Sequence, residues 1–131
     1  MNLRTYFERL QNTLFSRRDI TIEHLEVILA DADAYLEARI RFHDQSVLVF
    51  SEAVELTPTK RIRRISYAFH YQNNANVLLF RYDNSPHHPY LATFPAHKHV
   101  GNEVIAAESP DLADVLKEIE TIIYVGTDDQ S

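Results

Sequence analysis

The run Ile65-Ser66-Tyr67-Ala68-Phe69-His70-Tyr71-Gln72-Asn73-Asn74-Ala75-Asn76-Val77-Leu78-Leu79-Phe80-Arg81-Tyr82-Asp83 contains two alternating segments on either side of a polar turn. Ile65, Tyr67, Phe69 and Tyr71 alternate with Ser66, Ala68 and His70, and Leu78, Phe80 and Tyr82 alternate with Val77, Leu79, Arg81 and Asp83. A period of two belongs to a half-buried β-strand, so the run predicts an antiparallel hairpin with one aromatic and aliphatic face and one polar face. Asn tolerates positive φ, and Asn73-Asn74 reads as the tight loop. That loop sets Tyr71 opposite Asn76, Phe69 opposite Leu78, Tyr67 opposite Phe80 and Ile65 opposite Tyr82. On the other face His70 meets Val77, Ser66 meets Arg81 and Arg64 meets Asp83, which gathers cationic side chains on one sheet surface.

Upstream, Tyr35 to Phe42 and Val47 to Val54 read as a second hairpin. With Asp44-Gln45 as a two-residue loop, Phe42 faces Val47 and Ile40 faces Val49. Ile20 to Leu29 is a further strand, closed by a turn at Asp31, Ala32 and Asp33. Leu3, Tyr6, Phe7, Leu10 and Leu14 recur at helical spacing and predict an amphipathic helix over 2–16, ended by Arg17-Arg18-Asp19. At the other end Ser109-Pro110 reads as a cap and first-turn proline. It opens a helix with the stripe Leu112, Val115, Leu116, Ile119, Ile122 and Ile123, ending near Gly126. The expected architecture is α+β: an antiparallel meander of about five strands, with an N-terminal and a C-terminal helix packed on one face. Residues 1–126 form one domain, and 127–131 read as a disordered acidic tail.

Composition narrows the chemistry. With no cysteine among 131 residues, neither a disulfide framework nor a thiolate metal site can form. Two glycines, both late, exclude the Gly-rich loops that cradle nucleotide phosphates, and no cofactor is expected. The start of the chain lacks a signal-peptide apolar stretch and no apolar run reaches spanning length, so a cytoplasmic protein away from the membrane is expected. A net charge of -6 argues against wholesale wrapping of nucleic acid, although Lys60-Arg61-Ile62-Arg63-Arg64 is a local basic island.

Between Phe80 and Gly101 the chain places four of its seven histidines and three of its five prolines. Pro86, Pro89 and Pro95 lack ladder donors, so this segment reads as a structured loop. No packing pattern asks for His87, His88, His97, His99, Arg81, Asp83 and Lys98 together, and imidazoles beside cations and a carboxylate suit acid–base chemistry, a metal or a phosphate.

The residues Tyr67-Ala68-Phe69-His70-Tyr71-Gln72, Phe80-Arg81-Tyr82-Asp83-Asn84-Ser85-Pro86-His87-His88 and Phe94-Pro95-Ala96-His97-Lys98-His99-Val100-Gly101 resemble the TumE family of bacterial toxin–antitoxin proteins. The likeness takes in the hairpin Arg39 to Ser46 and the closing helix, with Gln45 standing where the family is expected to favour Gly. The resemblance implies a small toxin encoded beside a cognate helix-turn-helix antitoxin. It leaves the target open.

For RNA cleavage a base must take the 2′-hydroxyl proton, an acid must protonate the leaving oxygen, and cations must stabilise the phosphorane. The catalytic candidates are His70, His87, His88, His97 and His99, with Asp83 to orient an imidazole. Arg64, Arg81, Asn84 and Lys98 are candidates for holding substrate, Arg81 being the better bidentate match for phosphate. Tyr67, Phe80 or Tyr90 can stack on a base, the first two competing with a core role. Each candidate has a plainer reading. Adjacent His87 and His88 cannot both point one way from an extended segment, and the Arg81–Asp83 or Arg64–Asp83 pair can be a surface ion pair of about 0–1 kcal/mol. A metal-independent endoribonuclease toxin with an RNA substrate ranks first. A metal-dependent nuclease or hydrolase comes second, because His97 and His99 share one side of an extended strand and His87 or His88 with Asp83 can complete a coordination sphere. A non-enzymatic binding module comes third; self-association as a homodimer stays open, and no metal ligand set is assigned.

Overall fold

The computed structural model describes residues 1–128. Helix α1 (Leu3–Phe15) starts where the Asn2 side chain accepts the Thr5 N–H (2.8 Å), and it buries Leu3, Phe7 and Leu14. Seven strands follow: β1 (Ile20–Leu29), β2 (Asp33–Phe42), β3 (Val47–Leu56), β4 (Ile62–Gln72), β5 (Leu78–Asp83), β6 (His97–Val100) and β7 (Glu103–Ala106). They form one sheet in sequence order, each antiparallel to the next. Helix α2 (Leu112–Asp128) closes the fold. Its cap is Asp111 rather than Ser109: the Asp111 carboxylate accepts the Asp114 N–H (2.8 Å) and Asp114 answers to the Asp111 N–H (3.2 Å), two orphan donors satisfied reciprocally. The helix covers the first two residues of the tail read at 127–131, and 129–131 lie outside the described residues.

The expected α+β meander with both helices on one face is what forms, with seven strands in place of about five. The additional pair, β6 and β7, lies partly within the segment read as loop. His97-Lys98-His99-Val100 carries no apolar alternation, because imidazoles occupy one face of this strand and a lysine the other, so hydrophobic period does not mark it and only the metal reading treats it as extended.

Hairpin registers also differ from expectation. The β2–β3, β3–β4 and β4–β5 connections are three-residue loops, closed by Phe42 with Ser46, Thr57 with Arg61 and Asn73 with Val77. The third loop residue is left-handed in each, at Gln45 (φ 71°), Lys60 (φ 65°) and Asn76 (φ 63°). In the β2–β3 hairpin this pairs Ile40 with Leu48, one residue from the two-residue-loop register. Because side chains alternate, the slip turns Leu48, Phe50, Glu52 and Val54 to the helices and leaves Val49 on the open face. The β4–β5 pairing moves further, to Tyr71 with Phe80 and His70 with Arg81. From Phe80 to Asp83 the faces are those expected, but a bulge at Leu79 sets Leu78 opposite Gln72 and packs Leu79 on the core in its place, and Ile65 is exposed.

The core lies between the helices and one sheet face. Leu36, Ile40, Leu48, Phe50, Phe69, Tyr71 and Phe80 meet Leu14, Leu112, Val115, Leu116 and Ile119. Phe50 stacks on Phe69 with ring centroids 5.5 Å apart. One carboxylate enters this layer: Glu52 is 1% exposed, accepts the Tyr6 hydroxyl and lies 3.6 Å from the Arg64 guanidinium. A bulge in β4 at Ile65 makes that pairing, since it sets Arg64 opposite Val54 and so onto the helix-covered face. Arg64 therefore does not share a face with Arg81 or pair with Asp83 as expected; its guanidinium stacks on Tyr67, 4.2 Å from the ring centroid.

Burial raises the Glu52 carboxyl above its ordinary value, against the opposing pull of the Tyr6 hydroxyl and Arg64. The folded chain thus holds this proton more tightly than the unfolded one. Its stabilisation is complete below the ordinary carboxyl range and is lost as pH rises through the raised value. Glu52→Gln cannot ionise and still accepts from Tyr6, so it should melt above wild type at pH 7, with the gap closing below about pH 4. Glu52→Ala strands the hydroxyl and should be about 1–3 kcal/mol less stable than the glutamine variant. Superimposable pH–stability profiles for wild type and Glu52→Gln would contradict this.

Candidate active site

The open face of the sheet carries the polar row. In antiparallel ladders paired residues share a face, so His70 on β4, Arg81 on β5 and His99 on β6 stand side by side, and Ala68, Asp83, His97 and Ala106 form the neighbouring row. The small Ala68 and Ala106 flank the pair that matters most. Asp83 is 5% exposed and His97 2%, a carboxylate and an imidazole buried together at the end of the sheet.

Asp83 is surrounded by polar partners. Its Oδ1 accepts the Ser85 N–H (3.0 Å) and lies 2.9 Å from His97 Nε2; its Oδ2 accepts Arg81 Nε–H (3.0 Å) and lies 3.5 Å from His99 Nε2. Burial raises this carboxyl, but the Ser85 N–H, the Arg81 guanidinium and His97 outweigh it and hold the group below the ordinary carboxylate value. Asp83 is thus an anion.

His97 is held from both ends. Its Nδ1 lies 2.9 Å from the Pro95 carbonyl, which can only accept, so Nδ1 carries a proton and Nε2 faces Asp83 and, at 3.1 Å, His99 Nε2. The Phe94–Pro95 peptide bond is cis. From the loop between β5 and β6, His88 closes the cluster, with its ring centroid 4.8 Å from that of His97 and 6.0 Å from that of His99. Its Nδ1 is engaged by the Tyr90 hydroxyl (3.2 Å). Burial pulls the His99 imidazole below its ordinary value; His97, Arg81 and His88 add to this, against the opposing charge of Asp83.

His70 ends the row. Arg81 can only donate, so His70 Nδ1 accepts from it (3.4 Å), and Nε2 then donates to the Gln72 amide oxygen (3.3 Å). Burial and the adjacent Arg81 lower its pKa, in keeping with a neutral ring. A groove of about 370 Å³ runs from His70 and Arg81 past Val49 to Tyr35 and Glu37.

The structure thus brings together Asp83, His88, His97, His99, Arg81 and His70. It separates four other candidates from them. His87 is exposed and its imidazole takes part in none of these contacts, in accord with the opposed directions expected of adjacent residues. Lys98 follows strand alternation to the helix side, where it pairs with Glu118 (2.7 Å) and lies over the Tyr82 ring. Arg64 is on that side as well. The Asn84 amide is committed to the sheet: it accepts the Tyr67 N–H (3.1 Å) and donates to the Ile65 carbonyl (3.0 Å), substituting for a strand partner beside the bulge. Sequence reasoning missed Ser85, Pro95 and Tyr90 as positioning groups. The first two act through the backbone, which leaves no side-chain signal.

The family model described as Toxin TumE matches residues 8–123, a span that takes in the whole sheet, the cluster and most of α2. No curated protein and no solved structure matches the chain. A match over that length, with the His-rich segment inside it, places this protein: the chain belongs to the TumE toxin family.

Proposed function

We propose that the chain is the toxin of a toxin–antitoxin pair and that it cleaves RNA at the Asp83–His97–His99–His88 cluster by histidine acid–base catalysis, without requiring a metal. The observation that carries this reading is a buried carboxylate–imidazole pair supporting two more exposed imidazoles beside an arginine. His88 and His99 reach solvent and serve as the acid and base that touch the substrate; His97 and Asp83, buried, position them. Arg81 pairs with Asp83 and stands opposite His99 on the next strand, where it is placed to hold the scissile phosphate. The groove toward Tyr35 gives a single strand somewhere to lie, with an exposed ring on which a base can stack. The partner is an antitoxin, proposed to be of the helix-turn-helix kind, that silences the toxin by covering this face.

The test is incubation of the purified chain with total RNA in excess EDTA, where cleavage is expected; intact RNA across the range of pH and salt tried would sink the reading. Arg81→Gln adds a finer check. Losing one phosphate contact should weaken RNA binding and reduce the slope of log K against log salt by about 0.7 for a single strand. An unchanged slope would make Arg81 a purely structural partner of Asp83.

The same cluster has a second reading as a metal-dependent nuclease, favoured by one observation: one ring nitrogen from each of His88, His97 and His99 lies within 4.8 Å of the others. EDTA distinguishes the two readings.

A further inference from the structure

We propose that His88, His97 and His99 bind a divalent transition-metal ion of the zinc class, and that this ion regulates the toxin by occupying the imidazole lone pairs its chemistry uses. The second half rests on the acid–base reading above; the binding site stands on geometry alone.

His97 Nε2 and His99 Nε2 are 3.1 Å apart. Two ligands on a tetrahedral zinc with bonds of about 2.0–2.1 Å are separated by roughly 3.3 Å, so these nitrogens need to move by only about 0.2 Å. Asp83 Oδ1, at 2.9 Å from His97 Nε2, is at similar spacing. Nitrogens and carboxylate oxygens converge here, and all of them can present lone pairs to the same point. Such convergence calls for a cation, either a proton or a metal. The ligand set is imidazole-dominated with no thiolate, which suits zinc, nickel or copper and disfavours the oxygen-seeking calcium and magnesium.

Outer partners strengthen the case. Metal-ligating histidines usually give their second ring N–H to a carbonyl or carboxylate, and His97 gives Nδ1–H to Pro95, leaving Nε2 directed inward. The Tyr90 hydroxyl steadies His88 at Nδ1. His97 and His99 are fixed two apart on one side of β6, and His88 approaches from the loop on the solvent side, where an ion can enter and an exchangeable ligand can sit. The other grouping of this type among the described residues, His24 with Glu26 and Glu37, lacks these features: His24 and Glu26 are solvent-exposed and half-accessible, and Glu37 is only partly buried.

The experiment is calorimetric titration of zinc chloride into the untagged, metal-stripped full chain, with RNA cleavage assayed on the same preparations. One ion per chain is expected. His88→Ala and His99→Ala, both at partly exposed positions and so compatible with folding, should each weaken binding at least 10-fold, while His24→Ala leaves it unchanged. Cleavage should persist in EDTA and fall to background with one equivalent of zinc. Absence of stoichiometric binding, or binding indifferent to both cluster variants, would overturn the metal site whether or not RNA is cut. Binding accompanied by cleavage that requires zinc would keep the site but overturn the regulatory role. Binding with no cleavage under either condition would confirm the site and remove the ribonuclease reading instead.

Discussion

Asp83→Asn is expected to lower the turnover of RNA by about 100- to 10,000-fold, the range that a correctly placed acid–base group contributes. The substitution keeps size and shape but removes the charge that Arg81, His97 and His99 all face, and its NH2 group must point at a donor, the Ser85 N–H on one side or the Arg81 Nε–H on the other. His99 then loses the charge it faces, and His97, on which His88 packs, loses its partner. Because Asp83 acts through His97 and His99 and not on the substrate, turnover should fall more than KM rises. Far-UV circular dichroism checks that the sheet is retained. A folded Asp83→Asn protein with unchanged turnover would remove Asp83 from the mechanism.

The second large effect is on stability and tests the register of the sheet. Phe50 is 1% exposed and stacked on Phe69, so Phe50→Ala should destabilise the fold by about 3–5 kcal/mol. That is a large part of the roughly 5–15 kcal/mol typical of a domain. Its neighbour Val49, on the open face, should tolerate alanine within about 0.5 kcal/mol. Urea midpoints for the two variants decide the matter. Similar losses at both positions would mean that β3 does not alternate as described.

The Val49 and Phe50 contrast also shows where the sequence could be read and where it could not. Hydrophobic period located both helices and the first five strands, because each buries one face and water selects the pattern. Register was less accessible. A chain with two glycines places its left-handed loop residues on Gln45, Lys60 and Asn76, so the three-residue loops carried no glycine signal, and a shift of one residue moved Glu52 from expected surface to core. Arg64 shows the same limit: a single bulged residue, Ile65, reverses the face of everything before it. In the site, the composition around Asp83 and His88 to His99 was legible because no packing role explains it. Which members converge depended on β6 pairing with β5, which its polar faces did not announce. Strand alternation then separated Lys98 from its two flanking histidines, and the Asn84 amide proved to be completing the sheet.

The central claim is that this chain damages RNA through the carboxylate–imidazole cluster. Its most direct test is induced expression, without an antitoxin, of wild type and Asp83→Asn at equal levels, followed by end-mapping of total RNA. The account predicts growth arrest with new RNA ends for wild type, and normal growth with intact RNA for the variant. Arrest by wild type with transfer, ribosomal and messenger RNA all intact, or the same new ends from both proteins, would contradict it.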